Sequence, residues 1–312
     1  MHFPPALSQA LQALLEGVPR QSLAQAAQAM SQRYRKGEGS QTIATQTDAL
    51  AYALVRMPAT YAACAAMFAR VTEVMPDFVP ASLLDVGAGT GAASWAAATQ
   101  WSGLSVTMLD RNPALRELAH ALAWAGPLAD AGFLVGDLSA AKPKAELVVA
   151  SYVLAELPEE KAAAIAADLW NSANTALALI EPGTPDGFAR IRAARSALIA
   201  MGAHVAAPCT HDANCPMTGD DWCHFSQRLP RSRDHMLLKD AQVPFEDERY
   251  SYLVVTREKL ASGARILSTP LEAKPGLAFK LCDENGLRAQ FVASRDKEEY
   301  RRVRKQEWGD LF

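Results

Sequence analysis

Cysteine is scarce in this chain except between residues 208 and 228, where PCTHDANCPMTGDDWCHFSQR gathers Cys209, Cys215 and Cys223 with His211 and His224. The other cysteines are Cys64 and Cys282. Thiols this dense form a disulfide, a redox pair or a metal site. The 312 residues are 50% hydrophobic and carry a formal charge of -3. That is ample for a large core, and it leaves any anionic partner to be met by a local patch. No apolar stretch has the length of a membrane span, and the opening MHFPPALSQALQALLEGV lacks the charged start and cleavage-type ending of an export signal. A cytoplasmic location is expected, and stable disulfides are disfavoured there. Metal binding or redox chemistry is therefore favoured for the cluster. Cys64, within ATYAACAAMFARV, reads as a core cysteine on an apolar helix face.

Five and seven residues separate the three clustered cysteines, so the C-x-x-C spacing common in zinc ribbons is missing. A closed site needs a fourth ligand, for which His211, His224 and Cys282 are candidates. Four thiolates suit zinc or an iron–sulfur cluster equally, and spacing does not separate them.

A second constellation is LLDVGAGTG, which sets Gly87, Gly89 and Gly91 between a strand and a helix. Glycines there let backbone N–H groups approach a ligand closely, with the helix N-terminus behind them. Asp85 precedes the loop, and Asp110 closes the next strand 25 residues later, where a carboxylate would accept from ribose hydroxyls. Asp137 ends the third strand, where an adenine amine would be read. The D-x-G-x-G-x-G pattern resembles the loop of S-adenosylmethionine-dependent methyltransferases and departs from that of dinucleotide enzymes. The catalytic side is less defined. SYVLAELPEE stands where amine methyltransferases carry Asn/Asp-Pro-Pro-aromatic, and no cysteine nucleophile lies nearby. Glu156 could act as a general base or simply cap a helix.

These residues need a scaffold, and the hydrophobic patterning describes one. Residues 1–78 read as an N-terminal helical region, with Thr45 and Asp48 forming a capping box. RYRKGEGSQT (33–42) is a basic, glycine-containing loop that could meet an anion or merely link helices. Over 79–205, short apolar runs at 82–88, 104–110, 132–138, 146–154 and 176–182 alternate with helices, the signature of a parallel sheet covered on both faces. This is an α/β fold with a Rossmann-like core. Residues 206–312 hold the cysteine loop, a remaining core strand at 250–257, and a β extension with an Asn285-Gly286 hairpin signal.

Several blocks together, AYALVRMPATYAA, SLLDVGAGTGAASWAA, DWCHFSQRLPRSRDHMLLK, FEDERYSYLVVTR, LCDENG and the terminal WGDLF, are similar to one group. It is the methyltransferase-like small-ribosomal-subunit assembly family of mitochondria, with its bacterial relatives. The resemblance runs from about residue 45 to the end, and one departure is Thr210, where proline is expected. It implies a [4Fe-4S] cluster on Cys209, Cys215, Cys223 and Cys282, with zinc the alternative, and a role in maturing the small subunit on its rRNA. Arg228, Arg231, Arg233 and Lys239 then gain a use as phosphate contacts on a loop fixed by the cluster. Whether the chain methylates rRNA, or is an inactive ribosome-binding protein with a structural zinc, stays open at this level.

Overall fold

The computed structural model describes residues 2–124, 126–260 and 263–312. Four helices come first: α1 (Pro5–Leu14), α2 (Arg20–Arg35), α3 (Gln46–Val55) and α4 (Met57–Val74). The capping box starts α3: the Thr45 hydroxyl accepts from the Asp48 N–H, while the Asp48 carboxylate accepts from the Thr45 N–H at 3.1 Å. Two orphan donors at the helix start are thereby satisfied. Cys64 lies in α4 with no exposed surface, as a core residue.

Alternating elements follow: β1 (Ser82–Val86), α5 (Ala92–Gln100), β2 (Ser105–Asp110), α6 (Pro113–Ala123), β3 (Gly132–Val135), β4 (Ala145–Ser151), α7 (Ala162–Ser172), β5 (Ala173–Pro182), α8 (Pro185–Ala200) and β6 (His204–Ala207). Next come β7 (Phe225–Pro230), α9 (Arg233–Lys239) and β8 (Phe245–Thr256). The main sheet runs β3-β2-β1-β4-β5-β8-β6, with β7 also on β8. Strands β3 to β5 are parallel, whereas β8 enters antiparallel to β5 and pairs antiparallel with β6 and β7. One face is covered by α5, α6 and the N-terminal helices, the other by α7 and α8. Burial on both sides is why these strands read as continuous apolar runs. The order reverses at β1 and β4, and ligands of open α/β sheets bind at the carboxyl ends of strands at such a reversal.

Two expectations shift. Strand β8 begins at Phe245, five residues ahead of the expected start at Tyr250, because its charged half FEDER pairs with β7. Of the arginines after Cys223, all expected on a loop, Arg228 sits on β7, Arg233 starts α9 and Arg231 lies between them: Phe225 and Leu229 are buried, whereas Ser226 and Arg228 face outward.

A second sheet closes the chain: β9 (Arg265–Ile266), β10 (Leu271–Ala273), β11 (Gly276–Asp283) and β12 (Gly286–Ala293), followed by α10 (Lys297–Val303). The β11–β12 hairpin turns on Glu284 and Asn285, with Asp283 opposite Gly286. Leu277, Phe279, Leu281 and Val292 form its core with Val303. The fully buried Arg265 joins this unit to the rest. Its Nε donates to the Pro208 carbonyl at 2.8 Å, and Nη1 donates to Glu73 at 2.7 Å and to the Gly309 carbonyl at 2.8 Å. Arg265→Ala leaves the buried Pro208 and Gly309 carbonyls without their donor and breaks the pair with the more exposed Glu73, an expected cost of at least about 2 kcal/mol, read as a lower denaturation midpoint with an unchanged slope. A loss below about 1 kcal/mol would mean these contacts are replaceable by water.

Candidate functional site

The glycine loop lies at the carboxyl end of β1. Gly87, Gly89 and Gly91 have φ of 70°, 56° and 80°, the left-handed region that side chains with a Cβ rarely adopt. At Gly87 a Cβ would lie 2.5 Å from Val153 Cγ2, so the loop packs directly on the segment after β4. At Gly89 the nearest atom to a Cβ would be 4.0 Å away, leaving the backbone open toward a cavity of about 330 Å³. That size suits a small-molecule ligand.

Gly87, Gly89, Asp110 and Asp137 line this cavity together, whereas Asp85 and Gly91 do not. Asp110 Oδ2 accepts from the Gly89 N–H at 2.7 Å, and Oδ1 accepts from the Asn112 N–H at 2.7 Å. The carboxylate therefore shapes the loop while presenting its remaining lone pairs to the cavity. Exposed Asp137 accepts from the Ser139 N–H and hydroxyl, which hold its carboxyl below the usual range. Asp85 lies underneath, fully buried, where Oδ2 accepts from the Ser94 N–H and hydroxyl and ties the loop to α5. Burial pushes its carboxyl up to about 7, and Oδ1 has no protein partner. Gly91 is the N-cap of α5.

Sequence reasoning missed the other walls. Tyr152, at φ 59°, follows β4 and lines the cavity, and its hydroxyl donates to Glu248 at 2.7 Å. Backbone strain of this kind concentrates at functional sites. Ser40 and Tyr52 reach the cavity from the N-terminal region. Glu156 also lines it, but its carboxylate is occupied: Oε1 accepts from the Ser40 N–H at 2.8 Å and Oε2 from the Ser40 hydroxyl at 2.9 Å.

The cysteines converge on a second cavity. Cys209, Cys215, Cys223 and Cys282 all line it, beside Arg195 and Arg265. Neither His211 nor His224 does. His211 Nε2 touches Cys282 Sγ at 3.7 Å, and the His224 ring stacks on Trp222. Burial pushes the Cys209 and Cys223 thiols up and the Cys282 thiol to about 12, each raised further by neighbouring thiols. Among the described residues, no three His, Cys, Asp or Glu side chains are close enough to clasp one metal ion.

The basic residues after the third cysteine are matched by carboxylates. Arg228 makes a bidentate pair with Asp247 at 2.7 and 2.8 Å and lies over the Phe245 ring. Arg231, His235 and Lys239 all meet Glu246. Burial raises the Glu246 carboxyl, but hydrogen bonds from His235 and Lys239 and their charges outweigh it, leaving it at about 2. Arg233 is exposed in the first turn of α9.

A family model described as mitochondrial small ribosomal subunit Rsm22 matches residues 46–312. The human mitochondrial ribosome assembly protein METTL17 is 28% identical over 292 residues, covering 86% of this chain and 63% of its own. The mitochondrial Rsm22-cox11 tandem protein 1 of Schizosaccharomyces pombe is 27% identical, covering 89% of this chain and 44% of its own. The chain thus spans less than two thirds of the length of these relatives. Among solved structures, magnesium protoporphyrin IX methyltransferase from Synechocystis with bound SAH aligns at a TM-score of 0.45 and 15% identity, over 74% of this chain and 94% of that one. No helix among the described residues is long and apolar enough to cross a membrane. With the family match running from the start of α3 to the last residue, the chain belongs to the Rsm22 family of mitochondrial small-ribosomal-subunit proteins.

Proposed function

We propose that this protein assists assembly of the small ribosomal subunit by binding its rRNA, with S-adenosylmethionine in the glycine-loop cavity and a [4Fe-4S] cluster in the cysteine cavity. Family membership over residues 46–312 carries the ribosomal part of this reading. The nucleoside part is supported by a left-handed glycine loop open to the cavity and the Asp110 carboxylate beside it.

The cluster would be held by Cys209, Cys215, Cys223 and Cys282, which face one space from which both histidines are excluded. A [4Fe-4S] group supplies electron-transfer capacity and, through four thiolates, a cross-link. Cys282 on β11 would then be tied to the segment leading into β7, so the cluster would brace the second sheet against the basic ribbon. Arg195 and Arg265 supply positive charge beside a group that gathers four thiolates. The cavity walls offer no side chain assigned to methyl transfer, and Glu156 is already bound by Ser40. The cytoplasmic location expected from composition belongs to this reading only where small subunits are built in that compartment.

Contact with rRNA would run through Arg228, Arg231, Arg233 and Lys239. Phosphates must compete with Asp247 and Glu246 for three of these cations, so affinity should fall steeply with salt. The experiment is co-sedimentation of the intact protein with precursor small subunits over a salt series. The combined variant Arg228→Ala, Arg231→Ala, Arg233→Ala, with iron retained, is expected to bind at least about tenfold more weakly and to show a shallower salt slope. Binding equal to that of the unaltered protein would remove these residues from the interface.

A further inference from the structure

The loop between α2 and α3 does more than link helices. Residues 39–43 form a short strap, with a single 3-10 turn at Ser40–Thr42, and its two sides are held by residues from different strand ends. On one side, Asn112 Nδ2 donates to the Ser40 and Ile43 carbonyls, both at 2.9 Å. On the other, Glu156 accepts from the Ser40 N–H and hydroxyl. Asn112 follows β2 and Glu156 follows β4, and these are the strands that flank β1. Ser40 is held from both places, its carbonyl by Asn112 and its N–H and hydroxyl by Glu156, and it lines the cavity into which the glycine loop opens.

The two attachments differ in kind. Asn112 is 5% exposed, and its Oδ1 also accepts from the Leu115 N–H as the N-cap of α6, so this side is rooted in the core. The Glu156 side is solvent-exposed and consists of one carboxylate gripping one residue. Gly39 fits closely there: a Cβ would lie 3.0 Å from Glu156 Cδ. Gly37, at φ 79°, ends α2 just upstream, where the Glu38 N–H closes onto the Arg33 carbonyl at 3.1 Å. One side is a pivot and the other a latch.

We propose that residues 39–43 are a gate over the cofactor cavity, latched by Glu156 on Ser40 and pivoting at Asn112, and that a bound nucleoside cofactor and the closed strap stabilise each other. This rests on the cavity being an S-adenosylmethionine site. It gives Glu156 a positioning role in place of that of a base. It also makes cofactor occupancy felt in the N-terminal helices, since the strap leads into α3, whose Tyr52 lines the same cavity. By linkage, whatever the closed strap adds to cofactor affinity, the cofactor adds to strap closure.

The test uses the full chain with S-adenosylhomocysteine, which cannot donate a methyl group. Calorimetry first establishes binding, and stopped-flow displacement then gives its release rate. Glu156→Ala, losing two charge-assisted hydrogen bonds, is expected to speed release about tenfold or more. Ser40→Ala keeps the backbone bond and should show a smaller increase. Trypsin cleavage after the exposed Arg35 and Lys36 should be slowed by ligand in the unaltered protein and not in Glu156→Ala. Melting temperatures check that both variants fold, and Ser40→Ala alone carries the test if Glu156→Ala does not. Binding with release and cleavage unchanged in the folded variants overturns the gate and leaves the cofactor site standing. No binding by the unaltered protein overturns the cofactor reading and the gate with it.

Discussion

Gly89→Val should abolish measurable S-adenosylmethionine binding while the protein stays folded. At φ 56° a β-branched residue is strained by about 1–2 kcal/mol or more. The added atoms would also take up open space beside Leu115, which lines the cavity with Gly89. Asp110→Ala should act differently. It removes the acceptor for the Gly89 and Asn112 N–H groups and for any ribose hydroxyl, at about 1.5–3 kcal/mol for each charged hydrogen bond. The expected loss of affinity is tens-fold or more. Titration calorimetry distinguishes the two effects, and an Asp110→Ala affinity equal to that of the unaltered protein would mean that the end of β2 does not face the ligand.

Cys282→Ser should bleach the anaerobically prepared protein and expose residues 208–228 to proteolysis. Cys282 lies on β11 opposite Arg265 and Leu287, far in sequence from the other thiols, and is 6% exposed. If Cys282 is a ligand, its loss loosens the cysteine segment where it meets the second sheet, leaving Arg265 to hold the two together, because metal binding and local folding are one equilibrium. His211→Ala is the matching control. His211 contacts Cys282 but does not line the cavity, so the four-thiol reading requires the colour to survive. Retained colour in Cys282→Ser with bleaching of His211→Ala would instead identify a mixed thiol–imidazole site.

Much of this arrangement could be read from residue order. A strand buried on both faces announces itself as an apolar run, so β1, β2, β4 and β5 fell where LLDV, SVTML, ELVVAS and ALALI stand. The glycine loop was equally plain, because left-handed φ selects the residue type. What could not be read was pairing across distance. The carboxylate partner of Arg228 was hidden because Asp247, across the strand pair, stands 19 residues away. FEDER looked like a polar lead-in because the gain in pairing it comes from β7, which itself alternates too briefly to signal a strand. Asp85 looked like a ligand contact from its place beside the glycines, yet the pleat turns its side chain under the loop toward Ser94. The strap was hidden for the same reason: nothing local in GEGSQT reveals that Asn112 and Glu156 lie on either side of it.

The proposed iron–sulfur group joins Cys209, Cys215 and Cys223 on one segment to Cys282 on β11. Its most direct measurement is an iron and acid-labile sulfide assay, with an absorption spectrum, on protein purified without oxygen. The account predicts brown protein with about four irons and four sulfides per chain, bound by the cysteine set Cys209, Cys215, Cys223 and Cys282. Colourless protein holding a single zinc would contradict it.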